Sequence, residues 1–269
     1  MVGRQKHECR VRINPRGTKT CSSKWLNRRD PYPDNLILAA LPAEESRLVR
    51  SHLTSVPLKS EEVLWQSYEP ISFVYFPTSG LVSFLTAMRS GATVGVGIIG
   101  REGFVGIPIL LGATRTSVRA TVEVAGYALR MESALFSQLL VDTQQLERIL
   151  RRYAYAFLMQ VSQGAACNRL HQTPERLARW LAMGQDRTGS ELLPLTHERL
   201  AEILGCRRSS VTAAVGLLQQ AGAIRCSRGQ IRILNRNELE RWACECYPIL
   251  RRLTATSFPG GSTTSRYAG

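Results

Sequence analysis

The chain has 269 residues, of which 44% are hydrophobic and 21% charged, an ordinary globular composition. Its 35 Lys and Arg residues outnumber 21 Asp and Glu residues and give a formal net charge of +14. That excess indicates a polyanionic partner or an anionic surface. No apolar run approaches the roughly 18–20 residues of a membrane helix, and no signal-peptide core is present, so we expect a cytoplasmic protein with reduced cysteines and no membrane partner.

The basic excess lies at the two ends of the chain. Residues 1–30 hold nine basic and two acidic residues, and residues 171–253 hold 13 and eight, whereas residues 31–170 hold 12 and 11. We interpret residues 1–33 as a solvated basic arm without fixed structure and residues 251–269 as a flexible tail. An organelle transit peptide is an alternative for the arm, although no amphipathic period supports it.

Residues 34–132 predict a domain of short strands, preceded by one or two amphipathic helices between Leu36 and Leu53. Glycine, proline and serine separate β-rich segments in this region. Short strands at this spacing favour an antiparallel roll or barrel over a parallel sheet with crossover helices. The predicted strands are Val63–Trp65, Ser72–Phe76, Leu81–Leu85, Thr93–Ile99, Val118–Val124 and Tyr127–Met131.

Residues 133–170 predict one long helix, because no proline interrupts a helical pattern there. Leu139, Leu146 and Tyr153 recur every seven residues, with Leu150 and Phe157 beside them. This repeat is typical of a seam between two helices, although a buried core helix can show the same pattern. We expect the helix to pair with its copy in a homodimer.

Residues 171–250 predict a third domain that contains a helix-turn-helix. Thr173-Pro-Glu is expected to cap a helix that ends near Gln185, and a polar loop at 186–190 and a short strand at Leu193–Leu195 follow. Thr196 is expected to cap a helix at 197–204. Gly205 then permits the left-handed turn before a second helix at 208–220. The residues expected to face inward are Leu200, Ala201, Leu204, Val211, Val215 and Leu218.

A short hairpin is predicted after the second helix, around Arg228-Gly229, and it would form a wing. From Ile203 to Asn237 there are six arginines and no acidic residue. An arginine run alone is usually a solvated face, but here it coincides with the helix-turn-helix and favours contact with DNA phosphates. The predicted DNA-contacting residues are Thr196, His197, Arg207, Arg208, Ser209, Ser210, Thr212 and Arg228.

This order of elements resembles the Crp/Fnr family of bacterial transcription regulators over roughly residues 36–250. The resemblance is most specific in Leu195–Gly229, in Gly100-Arg-Glu-Gly-Phe-Val-Gly and in Cys167-Asn-Arg-Leu-His171. It implies an α+β fold with an antiparallel β-roll (a double-stranded β-helix like those that bind cyclic nucleotides), a dimerisation helix and a winged helix-turn-helix. It also implies a homodimer that reads a palindromic operator in double-stranded DNA.

The resemblance further implies roles for single residues. Arg208 matches the arginine that reaches a base edge, and Thr196 and His197 match positions near the phosphate backbone. Ser209 replaces the family's usual acidic residue beside that arginine, so the usual half-site sequence is not carried over. RNA polymerase stays an open partner, and activation or repression is not decided, because a polymerase contact has no readable motif.

The sensor domain departs from the family members that bind cyclic AMP. Their ribose-binding carboxylate position is occupied here by Ile107, which is followed by Pro108. Arg115 or Arg119 could meet a phosphate, but a surface arginine is the preferred interpretation. Cyclic AMP is therefore not expected as the ligand, and the effector is not identified.

Other motifs predict no cofactor and no catalytic site. Gly95–Gly100 matches the dinucleotide fingerprint, but no helix start follows it. Ala201 stands where a zinc protease would place its second histidine after His197-Glu198. We see no nucleophile–base pair and expect no enzyme.

The cysteines also predict no metal site. Cys9 and Cys21 lack the nearby third cysteine of the family's iron–sulfur branch. Cys167, Cys226, Cys244 and Cys246 lack the two-pair spacing of a structural zinc site, and we interpret them as small buried residues. A redox-sensing thiol is the alternative for these cysteines. Two alternative functions stay open: a nucleotide-binding protein that uses the glycine-rich roll, and a winged helix that binds nucleic acid without sequence preference or docks a protein.

Overall fold

The computed structural model describes residues 35–257 and the backbone of residues 11–13 and 19–21. The chain divides into two units, Met1–Pro31 and Tyr32–Gly269. In the first unit, strands β1 (Val11–Ile13) and β2 (Lys19–Cys21) pair in antiparallel fashion. The rest of the predicted basic arm at 1–33 lies outside the described residues. The predicted flexible tail at 251–269 is wrong for residues 251–256, which are helical, and its part beyond residue 257 lies outside the described residues.

The second unit begins with a β-roll made of two antiparallel sheets, as the sequence predicts. One sheet has the strand order β4-β8-β6-β7 and the other β3-β9-β5. The bounds are α1 (Leu36–Ala39), α2 (Ala43–Ser51), β3 (Thr54–Leu58), β4 (Val63–Trp65), β5 (Phe73–Pro77), β6 (Leu81–Ala87), β7 (Thr93–Ile99), α3 (Ile107–Leu110), β8 (Val118–Val124) and β9 (Gly126–Glu132). Strand β3 was not predicted, since it contains Pro57, and it lies at the edge of its sheet, where proline is tolerated.

Aromatic side chains fill the interior of the roll. Phe76 and Phe104 are fully buried, and their ring centroids lie 5.0 Å apart. Phe104 also stacks on Phe136 of the following helix, again with centroids 5.0 Å apart. Contacts of this kind add to the stabilisation from burial alone, so the three rings fix the roll to the helical region that follows it.

The long helix predicted over 133–170 is in fact two helices, α4 (Ser133–Asp142) and α5 (Gln144–Leu170). Thr143 breaks it, with φ −123° and ψ 74°. The Glu45 carboxylate accepts hydrogen bonds from the backbone N–H groups of Gln145 and Leu146, both at 2.9 Å. Because these groups belong to the first turn of α5, a carboxylate from α2 satisfies the new helix start.

The predicted dimer seam is wrong, because its residues pack against the β-roll of the same chain. Leu146 and Leu150 are 0% exposed, and Tyr153 and Leu139 are buried with them in the roll's core. Phe157 packs against the same core, with its ring centroid 5.2 Å from that of Phe84 and the two ring planes at 68°. The seven-residue repeat therefore marks the buried side of a core helix, the interpretation that the pattern also allows.

The remaining elements form the winged-helix domain. They are α6 (Thr173–Thr188), β10 (Leu192–Leu193), α7 (His197–Leu204), α8 (Arg208–Gln220), β11 (Ile224–Ser227), β12 (Gln230–Ile233), α9 (Arg236–Trp242) and α10 (Cys246–Thr256). The three strands pair antiparallel in the order β10-β12-β11. Their inner faces and those of the helices share one core, which also includes Leu81, Leu85 and Ile98 of the roll. The winged helix therefore packs directly on the four-stranded sheet.

Helix α6 corrects two details of the prediction. Its N-cap is Gln172 rather than Thr173, because Gln172 forms a capping box with Glu175. The helix also extends to Thr188 and ends at Gly189 in the left-handed conformation, with φ 68°, so the first part of the predicted loop is helical. Among the described residues, no helix is both long and apolar enough to cross a membrane.

Candidate nucleic-acid interface

Two helices and a tight turn form the helix-turn-helix at the predicted positions. The Thr196 hydroxyl accepts a hydrogen bond from the Arg199 N–H at 3.1 Å and caps α7. Gly205 ends α7 with φ 59°, and a Cβ atom there would lie 2.8 Å from the Val94 side chain. Both the left-handed conformation and the closeness of β7 therefore favour glycine at this turn. The six side chains predicted to face inward are all buried.

The beginning of α8 presents an exposed, positively charged end. Arg207, Arg208 and Ser209 are exposed, and the first turn contains no acidic residue. The backbone N–H groups of a first turn and the helix dipole both favour an anion there. This end of α8 can therefore approach phosphates and base edges without displacing packed side chains.

Glu198 lies beside Arg208 and was not among the predicted site residues. Its Oε2 atom is 3.7 Å from Nε of Arg208, and both side chains are about two-thirds exposed, at 67% and 70%. An exposed pair at this distance contributes little to stability, so the guanidinium can exchange it for another partner. This pair could not be predicted from the sequence, because the two residues lie on different helices.

His197 and Thr212 lie in the interface but already make contacts within the chain. The Nδ1 atom of His197 is 3.0 Å from the Thr212 hydroxyl, and its Nε2 atom is 3.4 Å from Sγ of Cys226. The Thr212 hydroxyl also donates to the carbonyl of Arg208 at 3.1 Å. Burial raises the pKa of the Cys226 thiol, so that thiol stays neutral at ordinary pH. The imidazole thus connects the start of α7 to α8 and to β11.

The predicted wing is a two-stranded hairpin with arginine at its tip. Arg228 and Gly229 have φ values of 49° and 74°, the positive pair that a type I′ turn requires. Arg225 and Arg232 are exposed and lie opposite each other in the β11–β12 ladder. Like charges that face each other across a ladder repel, so this hairpin suits an anionic partner.

One arginine of the run, Arg236, is partly buried and makes its contacts within the domain. Arg236 forms ion pairs with Asp186 at 2.8 Å and with Glu240 at 2.7 Å, and donates to the Ala182 carbonyl at 3.0 Å. These bonds join α9 to α6. The guanidinium is therefore committed within the protein and is not available to DNA.

The β-roll carries apolar, already bonded or partly buried side chains at the positions considered for contact with a cyclic nucleotide. Ile107 is 8% exposed and begins α3, so an apolar side chain stands at the carboxylate position. Arg115 donates to the Tyr68 carbonyl at 2.8 Å. The Nε atom of Arg119 is buried and has no hydrogen-bond partner in the described part of the chain. The glycines of the dinucleotide-like motif at 95–100 lie in strand β7 and its end rather than at a helix start.

Two family models match the chain. A Crp-like helix-turn-helix domain matches residues 175–242, and a cyclic nucleotide-binding domain matches residues 55–143. These ranges coincide with the winged helix and with the roll. No curated protein matches the chain in sequence.

Solved structures of regulators share the fold at low sequence identity. A transcriptional regulator of the Crp/Fnr family from Eubacterium rectale is 16% identical with a TM-score of 0.60, over 77% of this chain and 96% of its own. FixK2 from Bradyrhizobium japonicum is 17% identical with a TM-score of 0.61, over 71% and 98%. CLP from Xanthomonas campestris, described as a c-di-GMP responsive global regulator, is 15% identical with a TM-score of 0.57, over 72% and 100%.

Proposed function

We propose that this chain, which belongs to the Crp/Fnr family of transcription regulators, acts as a homodimer that recognises a palindromic DNA operator. The coarser conclusion, a transcription regulator with a helix-turn-helix domain that binds DNA, follows from the family. We propose three further points: the chain forms a dimer, its operator is two-fold symmetric, and one identified residue reads a base.

The exposed basic end of α8 carries the proposal. Arg207 and Arg208 stand at the start of α8. The tip of the wing lies beside the start of α7, since a Cβ atom at Gly229 would be 3.4 Å from the Thr196 side chain. A recognition helix contacts base edges with its N-terminal residues, and phosphate contacts from the flanks position it. We assign base contact to Arg208 and phosphate contact to Arg228, Arg207 and the Thr196 region. Ser209 and Ser210 are small donors beside them.

The homodimer is proposed to form through the face of α5 that points away from the roll. Tyr155 and Leu158 on this face are 60% and 56% exposed, and Ala165 and Ala166 are exposed nearer the helix end. Large apolar side chains on a long helix suit a second helix, and small residues allow close approach. A two-fold dimer places its recognition helices on half-sites about one turn, roughly 10 bp, apart.

Cyclic AMP is not the proposed effector. Ile107 can accept no hydrogen bond from a ribose hydroxyl, and the side chain is packed in the roll rather than open to a ligand. The aromatic cluster of Phe76, Phe104 and Phe136 occupies the neighbouring interior. We therefore expect cyclic AMP to leave the melting temperature and the DNA affinity of the protein unchanged.

The test is a selection of bound sequences from a random duplex pool with the full-length protein, at near-physiological salt and without added ligand. We expect the selected sequences to share a two-fold palindrome. With Arg208→Ala, we expect the consensus to lose its base preference at specific positions of that palindrome. Arg47→Ala is the matched control, since it removes one exposed arginine from α2 of the roll. Sequence-independent binding by a folded dimer would contradict the proposal and favour a non-specific nucleic-acid module.

A further inference from the structure

Three cysteines and one histidine come together where the long helix ends. The four residues are Cys167, His171, Cys244 and Cys246, and their ligand atoms all lie within 4.8 Å of one another. The sequence predicted no metal site, because its cysteines lack the two-pair spacing of a structural zinc site. Two of the four residues here stand on each of two segments that are distant in the chain. The structure places both segments against each other and so gathers the four side chains into one cluster.

Each segment holds its two ligands in a fixed relation. Cys167 and His171 are four residues apart at the end of α5, where the His171 N–H still donates to the Cys167 carbonyl at 3.1 Å, so both side chains share one helix face. Cys244 and Cys246 flank one residue at the junction of α9 and α10. The Tyr247 N–H donates to the Cys244 carbonyl at 3.0 Å and closes that turn.

The distances fit one tetrahedral ion. The sulfurs of Cys167 and Cys244 are 3.5 Å apart, and Sγ of Cys246 is 3.6 Å from Nδ1 of His171. A tetrahedral zinc ion with Zn–S bonds of about 2.3 Å keeps its sulfurs about 3.8 Å apart. A multi-iron cluster would spread its cysteines around a core of several atoms, and this set is too compact for that.

The surroundings provide what a metal site needs beyond its ligands. The Nε2 atom of His171 is 3.0 Å from Oε2 of Glu245, which leaves Nδ1 directed at the sulfurs. A carboxylate on the far nitrogen of a metal-bound histidine fixes the ring and its tautomer. The Gln163 side-chain amide donates to Sγ of Cys246 at 3.1 Å, as donors commonly do to metal thiolates.

Burial and charge also suit a complex of thiolates with a divalent ion there. Cys167 and Cys246 are 0% exposed and Cys244 is 5% exposed. The buried guanidinium of Arg179 interacts electrostatically with the Cys167 sulfur, and its Nε atom has no hydrogen-bond partner among the residues that the structure describes. Three thiolates and one divalent cation leave a single negative charge, which this guanidinium offsets.

We propose that Cys167, His171, Cys244 and Cys246 bind one zinc ion per chain, which fastens the junction of α9 and α10 to the end of the long helix α5. Cys₃His is an established donor set of structural zinc sites, and zinc suits soft sulfur ligands in tetrahedral geometry. Helix α10 packs against α5 and α6. The ion would therefore hold helix α10 of the winged-helix domain against α5.

The test measures metal content in full-length protein purified under reducing conditions, without chelator and without a histidine tag. Native mass spectrometry should show one zinc ion per chain. Cys244→Ser and His171→Ala should lose it, whereas Cys206→Ser and Cys226→Ser, which alter thiols of the same domain outside the cluster, should retain it. His171→Cys should also retain it, because a Cys₄ set binds zinc as well.

Cobalt provides a second readout of the geometry. Co²⁺ added to chelator-treated, reduced protein should give the visible bands of tetrahedral cobalt and a thiolate charge-transfer band, and Cys244→Ser should abolish both. Circular dichroism of each variant separates metal loss from unfolding, and the partly exposed His171 tests the site with the least disturbance to the core. Folded, reduced protein that binds neither ion would overturn the proposal. An iron–sulfur chromophore or a Cys167–Cys244 disulfide in place of the ion would overturn it equally.

Discussion

Arg199 of the helix-turn-helix forms a bidentate ion pair with Glu123 of the β-roll. Its Nε and Nη2 atoms each lie 2.6 Å from a carboxylate oxygen of Glu123, whose side chain is 1% exposed. Glu202 and the Ser83 hydroxyl complete the network. Burial alone would lower the pKa of Arg199, but the hydrogen bonds and charges of Glu123 and Glu202 outweigh that effect and raise it. The pair connects α7 directly to strand β8.

Glu123→Gln should destabilise the protein, because it leaves the Arg199 guanidinium buried without its full counter-charge. Removal of one member of a buried pair costs about 3 kcal/mol or more in unfolding free energy. Urea denaturation followed by tryptophan fluorescence measures it. Arg199→Met and the double variant complete a double-mutant cycle. Additive effects of the two changes would contradict a direct coupling between α7 and β8.

Arg208→Ala should weaken operator binding by about 1–3 kcal/mol and relax base preference at one position of each half-site. The physical reason is that an arginine that donates two hydrogen bonds to a base edge discriminates against the other bases. Fluorescence anisotropy with the selected operator and with point-substituted operators measures both effects. Equal losses on operator and on random duplex DNA would show that Arg208 does not read a base.

Arg228→Ala should weaken binding to all duplex sequences by a similar factor. The tip of the wing would lose a phosphate contact, so the slope of log affinity against log salt should fall by about one. Arg228→Lys keeps the charge and is the control that should preserve the slope. A loss confined to particular base pairs would instead place Arg228 in a groove.

His197→Ala should lower stability and DNA affinity together while it leaves the salt slope unchanged. The imidazole contacts Thr212 of α8 and Cys226 of β11, so its removal takes away one contact from α7 to each of these elements. Loss of a hydrogen bond of this kind costs about 1 kcal/mol. Thermal unfolding and anisotropy at several salt concentrations separate the two effects. A slope reduced by one would instead support the direct phosphate contact that the sequence resemblance implies.

Much of the fold could be predicted from local sequence signals. Strands such as Thr93–Ile99 are bounded by glycine and turn residues, and the two helices around Gly205 are set by a cap and by apolar spacing, so both match the structure. The break at Thr143 could not be predicted, because it depends on Glu45, which is distant in the chain. The local sequence pattern around a helix start does not show that a side chain from a distant element caps it.

For a related reason, the sequence could not predict what covers the apolar face of α5, nor could it predict the cysteine cluster. A heptad repeat specifies an apolar face but not what covers it, and here the cover includes Phe84 and Gly97 of the roll, where a Cβ atom would lie 2.5 Å from the Phe157 ring. The ligands near Cys167 become a set only when α9 and α10 fold back on α5. Both depend on tertiary contacts between distant segments.

Leu158→Glu should convert the dimer to monomers, because it places a charge in the proposed helix–helix interface on the exposed face of α5. The side chain is 56% exposed in the single chain, so the change leaves the roll's core intact and should not lower the monomer's stability. Met88→Glu, at a 59% exposed apolar position beyond β6, is the control that should remain dimeric. Sedimentation velocity measures the oligomeric state, and half-site duplexes measure what a monomer can still bind. A dimer that persists in Leu158→Glu would place the interface elsewhere, whereas monomers with weak half-site binding would link operator affinity to the pairing of two α5 helices.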